Sequence, residues 1–378
     1  RIGEFEAGRF VTYERVKDYW AAELPVRQGR FNFDLIRIDY YTDETVILEA
    51  FKAGEYDYRR EMSAKNWATA YSGDRFASGQ IITEAIEHQR PAGMQGFVFN
   101  TRRDMFSDPR VREAIGYAFD FDWANRNLFH DQYERTDSYF ENSDLASSGL
   151  PEGRELEILE AYRDQLPEDV FKEHYAPPST EGDRTLRDNL RKAMALLQEA
   201  GYQVRDGTMV HQQSGEPLSF EFLLHQKAFE RIVLPFKNNL ERLGMEVDVR
   251  LVDTNQYVER VQSFDFDIVT MVIPQSDSPG NEQWNYWHSS VADVKGSGNY
   301  AGIQDPVVDE LVKLVIQAPD REALVTRTHA LDRVLLHGHY VVPQWHLSVD
   351  RIAYWSFLER PPSTPKNGVD VNNWWYGN

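Results

Sequence analysis

The sequence predicts an α/β protein of two lobes, the first interrupted by the second. Three observations carry this. Apolar runs of strand character alternate with runs of helical spacing, the order that builds sheets covered by helices. A length of 378 residues suits two or three domains at roughly 100–200 residues each. The last stretch, from about residue 346, is short and rich in Pro, Asn and Trp. It is too small to fold alone and must pack on an earlier body, for which the first stretch is the natural host. The expected division is 1–92 for part of the first lobe, 93–345 for the second, and 346–378 for the return. Two crossings between α/β lobes make a hinge, and a hinge suggests a ligand cleft.

In the first stretch, residues 35–40 read as a strand with Ile36, Ile38 and Tyr40 on one face. Thr42 is placed to cap a helix carrying Val46, Ile47, Ala50 and Phe51, which stops at Gly54. Residues 56–58 read as a further strand, completing a β-α-β unit.

In the second stretch, residues 96–100 read as a buried strand. Asp108-Pro109 starts a helix, because Asp caps it and proline's missing N–H is not needed in the first turn. Val111, Ile115, Ala118 and Phe119 follow at helical spacing. Further helices carry Leu186, Leu190, Ala193 and Leu197 before Gly201, and Leu240 and Leu243 before Gly244. Met245, Val247, Val249 and Leu251 alternate with Glu246, Asp248 and Arg250, a half-buried strand. A short helix around 257–261 leads to residues 266–272, read as a strand buried on both faces. Asp305-Pro306 and Asp320 start two more helices, the second ending near Gly338 before a strand at 340–342. The acidic, Pro-bearing segment 137–183 reads as a surface excursion with short helices.

Composition excludes several classes. Net charge is −20, so phosphate backbones and anionic membranes would be repelled. No stretch of about 18 apolar residues is present to span a bilayer. With no cysteine there are no disulfides, thiol nucleophiles or Cys-zinc sites. The chain opens Arg1-Ile2-Gly3 with no signal-peptide pattern. His337-Gly338-His339 lacks a third ligand at telling spacing and reads as a helix end. Gly296-Ser297-Gly298 lacks the strand and helix of a dinucleotide loop. No cofactor is expected.

Six blocks then stand in a recognisable order. Tyr13 to Trp20 is the first, and Ala50-Phe51-Lys52-Ala53-Gly54-Glu55-Tyr56-Asp57 the second. Phe99-Asn100 through Phe106-Ser107-Asp108-Pro109-Arg110-Val111-Arg112-Glu113-Ala114-Ile115 to Asp120 is the most specific. Leu196-Leu197-Gln198-Glu199-Ala200-Gly201-Tyr202, Phe264-Asp265-Phe266-Asp267 and Asn299-Tyr300 to Asp309 complete the set. Together they resemble the peptide- and nickel-type solute-binding proteins of ABC importers. Within these they are similar to the subgroup handling oligopeptides and peptide antibiotics such as microcin C. The resemblance covers nearly all of the chain. It implies a periplasmic binding protein-like fold of type II, with two mixed-sheet lobes joined by a hinge. It implies a periplasmic or otherwise extracytoplasmic monomer that captures peptides and delivers them to a membrane permease, without catalysis. Family members carry roughly two hundred further residues before the first block, so the sequence is expected to be a fragment, or to have that part in a separate chain.

A broad peptide receptor needs a carboxylate for the ammonium, amide partners for the backbone and roomy aromatic pockets. The loop after residues 266–272 offers such groups. In the resembled family an Asp of this loop meets the ligand's α-amino group, which implies that role for Asp277, with Glu282 as fallback and Asn281 beside them. A solvated turn is the competing account. Trp284 and Trp287 are candidates for stacking on ligand side chains, against a role in local core. Arg102 is a candidate for a ligand carboxylate, against a hinge ion pair. Trp345 and His346 are candidates where the chain returns, and Trp374 and Trp375 read as packing. The main alternative is a carbohydrate-active enzyme or sugar-binding protein, prompted by nine Trp and 61 acidic residues. An enzyme of that kind would need two carboxylates about 5–10 Å apart across a sugar cleft. A sensory domain would carry a helix-turn-helix or membrane helix, and neither pattern is seen.

Overall fold

The computed structural model describes residues 1–377. They fall into two compact units, residues 1–90 with the segment from 348 onward, and residues 91–347. The chain passes between units at 90/91 and 347/348, two residues from the positions expected.

The first unit holds two three-stranded antiparallel sheets, beside a two-stranded pair of Leu358–Glu359 with Trp375–Tyr376. One orders Ile2–Glu6, Phe10–Glu14 and Leu35–Asp39. The other places Val349–Trp355 centrally, between Tyr58–Arg60 and Ile81–Glu87. The expected β-α-β unit is therefore corrected. The strands before and after the helix Glu44–Ala53 lie in different sheets, because the neighbour of Tyr58–Arg60 comes from the far end of the chain. The helix cap is Asp43 rather than Thr42, its carboxylate accepting from the Thr45 and Val46 amides at 2.8 and 2.9 Å. Gly54 ends the helix at φ 89°, a left-handed conformation that favours glycine. Trp374 is buried edge-on against Tyr58 and Tyr354, at 5.4 and 4.8 Å between ring centres.

The second unit is built on a five-stranded mixed sheet, in the order Glu246–Leu251, Ser219–Leu224, Ile268–Ile273, Met94–Phe99, Val341–Pro343. Ser219–Leu224 runs parallel to both its neighbours, and Met94–Phe99 runs antiparallel to both of its own. The carboxyl ends of four strands thus gather where Met94–Phe99 begins. The chain comes into the unit and leaves it at this same end. Parallel neighbours need crossover helices. Glu230–Glu241 and Thr254–Gln262 supply them. On one face of the sheet Phe97, Phe119, Phe222 and Phe236 interlock at 5.2–5.5 Å between ring centres. On the other, Leu223, Val269 and Ile273 pack with Leu311, Val312 and Leu331. No helix among the described residues is long and apolar enough to cross a membrane.

Two expectations change here. The segment 137–183 is not a surface excursion. Tyr139, Phe140, Leu145, Leu159 and Val170 are buried in the main core. Adjacent charges on the helix Arg321–His337 tie the segment down. Asp332 accepts from Ser138, Tyr139 and Ser147. Arg333 pairs with Glu155 at 2.7 Å and donates to the Gly149 and Ser148 carbonyls. Nor is the strand Ile268–Ile273 buried throughout, since Val272 near its carboxyl end is 49% exposed.

His337 and His339 end the long helix and are pushed down to about 4 and about 3 by burial. Neighbouring groups add to this, Arg333 on His337, and His337 followed by Arg112 on His339, and the Glu113 carboxylate lies 3.8 Å from the His339 ring. For such a base the unfolded chain binds a proton that the folded one refuses. Its contribution is therefore complete above pH 6.5 and is lost as pH falls toward 3. His339 has φ 50°, which asparagine tolerates. Replacing His339 by Asn should flatten the acid loss of stability by about 1 kcal/mol per pH unit below 6.5. Urea unfolding at pH 7, 6 and 5 checks this, and parallel wild-type and variant curves would refute it.

Candidate functional site

Parallel strands leave their loops at the carboxyl edge, where α/β sheets commonly bind ligands. In the second unit that edge carries a hollow of about 360 Å³. Leu224, Phe229, Tyr257, Met271 and Val272 form its apolar wall, and Gln95, His225, Gln226 and Thr270 its polar part. Residues 225–229 turn from the strand Ser219–Leu224 into the helix Glu230–Glu241, which places Gln226 and Phe229 at the rim. The Tyr257 hydroxyl donates to the Thr270 carbonyl at 2.7 Å, and its ring lies 4.3 Å from that of His225. Burial lowers the His225 pKa, so this ring is neutral at pH 7.

Two side chains here have buried hydrogen-bonding atoms that go unused. The Gln95 Nε2 donates to the Gln344 Oε1 at 2.9 Å. That leaves the Gln344 Nε2 buried without a partner, and the Thr270 Oγ1 likewise. Buried polar atoms are usually satisfied, so each marks a place suited to a ligand's own donor or acceptor. Gly93 passes close to the end of the strand Ile268–Ile273. Its φ is 68°, and a Cβ there would sit 2.5 Å from the Ile273 carbonyl oxygen.

Among the residues expected from sequence, Trp345 stands closest to this hollow. It is 8% exposed and supports the wall from behind, 6.4 Å from Phe229 in a stacked arrangement and 4.5 Å from Phe129. His346 faces Thr136, Glu134 and Glu141 at 3.3, 3.6 and 3.8 Å. Burial lowers its pKa, with Glu134 and Asp137 opposing.

The expected binding loop divides. Asp277 is half-buried in a bend, its carbonyl held by the Arg321 guanidinium. Glu282 turns inward, accepting from the Gly280 amide at 2.7 Å and from Gln283 at 3.2 Å. Asn281 and Trp284 border a different hollow of about 470 Å³, with Lys313 and Gln317, and no residue lines both hollows. Trp284 is stacked on His288 at 3.5 Å.

Two assignments are corrected. Trp287 is core, 2% exposed, edge-on to Tyr139 at 5.0 Å and donating to Gln283 at 2.9 Å, so neither ring face is open to a ligand. Arg102 is a structural clamp. Its guanidinium donates to Asn100, Asn299, Tyr300 and Ala292 oxygens, pairs with Asp293 at 3.4 Å and lies 3.8 Å over the Phe264 ring. Gln95, His225, Gln226, Phe229, Tyr257 and Gln344 were missed. The available signal was positional, because residues 225–229 directly follow a strand that enters a crossover helix.

No group of three or more His, Asp or Glu among the described residues is arranged to hold a metal ion. Comparison with known proteins supplies the remaining findings. Residues 1–294 match the family described as bacterial extracellular solute-binding proteins, family 5 Middle. The uncharacterized protein y4wM of Sinorhizobium fredii is 45% identical over 378 residues, covering 100% of this chain and 57% of the relative. The "Probable peptide-binding protein YejA" of Agrobacterium fabrum is 43% identical over 380 residues, covering 100% and 62%. The chain thus spans about three-fifths of these relatives. Among solved structures, the oligopeptide-binding protein AppA of Bacillus subtilis, in complex with a nonapeptide, superposes with a TM-score of 0.73. It shares 19% identity, over 100% of this chain and 66% of that one, which establishes a shared fold.

Proposed function

Because this chain belongs to the bacterial extracellular solute-binding proteins of family 5, we propose that it is the peptide-capturing part of an ABC importer's receptor. It acts outside the cytoplasmic membrane, binds without catalysis, and hands its ligand to a membrane permease. The passages at 90/91 and 347/348 are the proposed hinge.

The observation that carries this reading is a pair of unsatisfied atoms at the sheet's carboxyl edge, Thr270 Oγ1 in the hollow's lining and Gln344 Nε2 on the side chain bonded to the lining residue Gln95. A peptide presents backbone carbonyls and amides at regular spacing, with varied side chains between them. An amide donor, a hydroxyl and an adaptable wall of Met271, Phe229 and Tyr257 grip what all peptides share. A hollow of about 360 Å³ falls within the usual ligand range of about 300–1,000 Å³.

Calorimetric titration with short peptides tests the proposal. Replacing Gln344 by Met removes the amide at similar volume and should weaken peptides about 5–30-fold, the loss of about 1–2 kcal/mol of hydrogen bonding. Replacing Asp277 by Asn should weaken peptides with free N-termini more than N-acetylated ones. Full affinity in Gln344→Met removes the sheet edge from the binding site. Equal losses for both peptide types in Asp277→Asn remove Asp277 from ammonium binding.

A further inference from the structure

A second, smaller hollow of about 110 Å³ lies beside the edge strand Val341–Pro343. Water's share of liquid volume is about 30 Å³, so the space suits about four waters or one molecule of acetate size. Residues 173–176 and the helix Pro109–Tyr117 contribute to its lining, and the side chain of Arg135 faces it.

Arg135 is unusual among the described residues. Its Nε, Nη1 and Nη2 are all buried, and none has a hydrogen-bond partner. The backbone holds it in place, because Arg135 pairs with Trp345 between two short strands. Its guanidinium stands 5.0 Å from the Phe119 ring centre and 5.2 Å from that of Phe121. Such stacking engages the faces of the guanidinium and leaves its in-plane N–H donors unused. Arg112, lining the same hollow, shows the usual outcome, giving its nitrogens to the carbonyls of Gly338, Phe106 and Ser107.

No carboxylate of the protein hydrogen-bonds to Arg135. The groups that act on it most are the Tyr175 phenol and then the carboxylates of Asp122 and Asp120. Asp122 already accepts from Ser179 and Thr180, and Asp120 from Thr180 and Trp123. Burial pushes the Arg135 pKa down to about 10, which still leaves it charged at neutral pH. A buried, charged fork without acceptors is costly to a fold, and a planar carboxylate matches its geometry with two parallel hydrogen bonds. Glu113, Asp169 and Glu173 also line the hollow and disfavour a multiply charged anion.

We propose that Arg135 and this hollow form a binding site for one small monocarboxylate of acetate size, held edge-on by the guanidinium. No residue lines both this hollow and the one at the sheet's carboxyl edge.

Thermal unfolding at pH 7.5 tests it, with sodium acetate titrated against sodium chloride and sodium phosphate at matched ionic strength. Wild type should show a saturable rise of several degrees in acetate beyond that in chloride, and no such excess in phosphate. Replacing Arg135 by Met should abolish the acetate-specific rise. Replacing Arg135 by Lys, which keeps the charge but loses the planar fork, should weaken it about tenfold. If Arg135→Met does not fold, the lysine variant and the wild-type comparison still decide. A wild-type response equal in acetate and chloride overturns the proposal, as does an acetate-specific rise that survives in either variant at full strength.

Discussion

Replacing Asp332 by alanine should lower the stability of the unit spanning residues 91–347 by about 3–5 kcal/mol. Asp332 is 0% exposed, and its two oxygens accept four hydrogen bonds. These come from the Ser138 hydroxyl, the Tyr139 amide, and the amide and hydroxyl of Ser147, at 2.8–2.9 Å. Alanine would leave the buried Ser138 and Tyr139 donors and the half-buried Ser147 donors unpaired and open a void between the long helix and residues 138–147. For a body of this size about 2–4 °C is lost per kcal/mol, so a fall of about 10 °C is expected in thermal unfolding. The carboxyl is pushed up to about 6 by burial, with the four hydrogen bonds opposing. A carboxyl raised in the folded state costs stability as pH climbs through 4 to 6, so the truncation penalty should be smaller at pH 8 than at pH 5. A loss under about 1 kcal/mol at both pH values would show that residues 138–147 are seated by their apolar side chains alone.

The same network shows where the sequence could be read and where it could not. Helix starts at Asp108, Asp305 and Asp320 were legible because a cap is local, the carboxylate reaching amides two or three residues on. Strands with clear apolar patterning, such as Leu35–Asp39 and Glu246–Leu251, were legible too, but Ser219–Leu224 and Val349–Trp355 were not read, and pairing was not legible. Nothing near Tyr58 announces that its neighbour is Tyr354. The segment 137–183 was misread because its buried residues follow no helical or strand period, while acids and prolines dominate its composition. Asp332 and Arg333 resemble ordinary surface charges until their partners are known. Candidate site chemistry behaved similarly. Arg102 and Trp287 have the right chemical type, yet the structure commits the first to five oxygens and the second to Tyr139 and Gln283. The hollow at the sheet's carboxyl edge arises from strand direction, and strand direction depends on non-local pairing.

Replacing Gly96 by alanine should be nearly as damaging, and it connects stability to binding. Gly96 lies in the strand Met94–Phe99, opposite Met271 on one side and Pro343 on the other. A Cβ there would sit 2.1 Å from the Val341 Cγ1 and 2.7 Å from the Val342 carbonyl oxygen. Valine can rotate away from the first contact. The second is backbone, so the strand Val341–Pro343 must shift and its ladder with Met94–Phe99 must weaken. Overpacking of this kind costs about 1–3 kcal/mol, and lost ladder hydrogen bonds add about 1 kcal/mol each. The shift would also draw Gln344 away from Gln95, now 2.9 Å apart, and disturb the donor proposed to meet a peptide carbonyl. Peptide affinity should therefore fall together with thermal stability. Gly116 provides the contrast. It lies in the helix Pro109–Tyr117, and an added Cβ would meet nothing within 4 Å. Replacing Gly116 by Ala should therefore be neutral or stabilise by about 0.5–1 kcal/mol through helix propensity. If Gly96→Ala behaved like Gly116→Ala in both unfolding and peptide titration, close contact between these two strands would not be what positions Gln344.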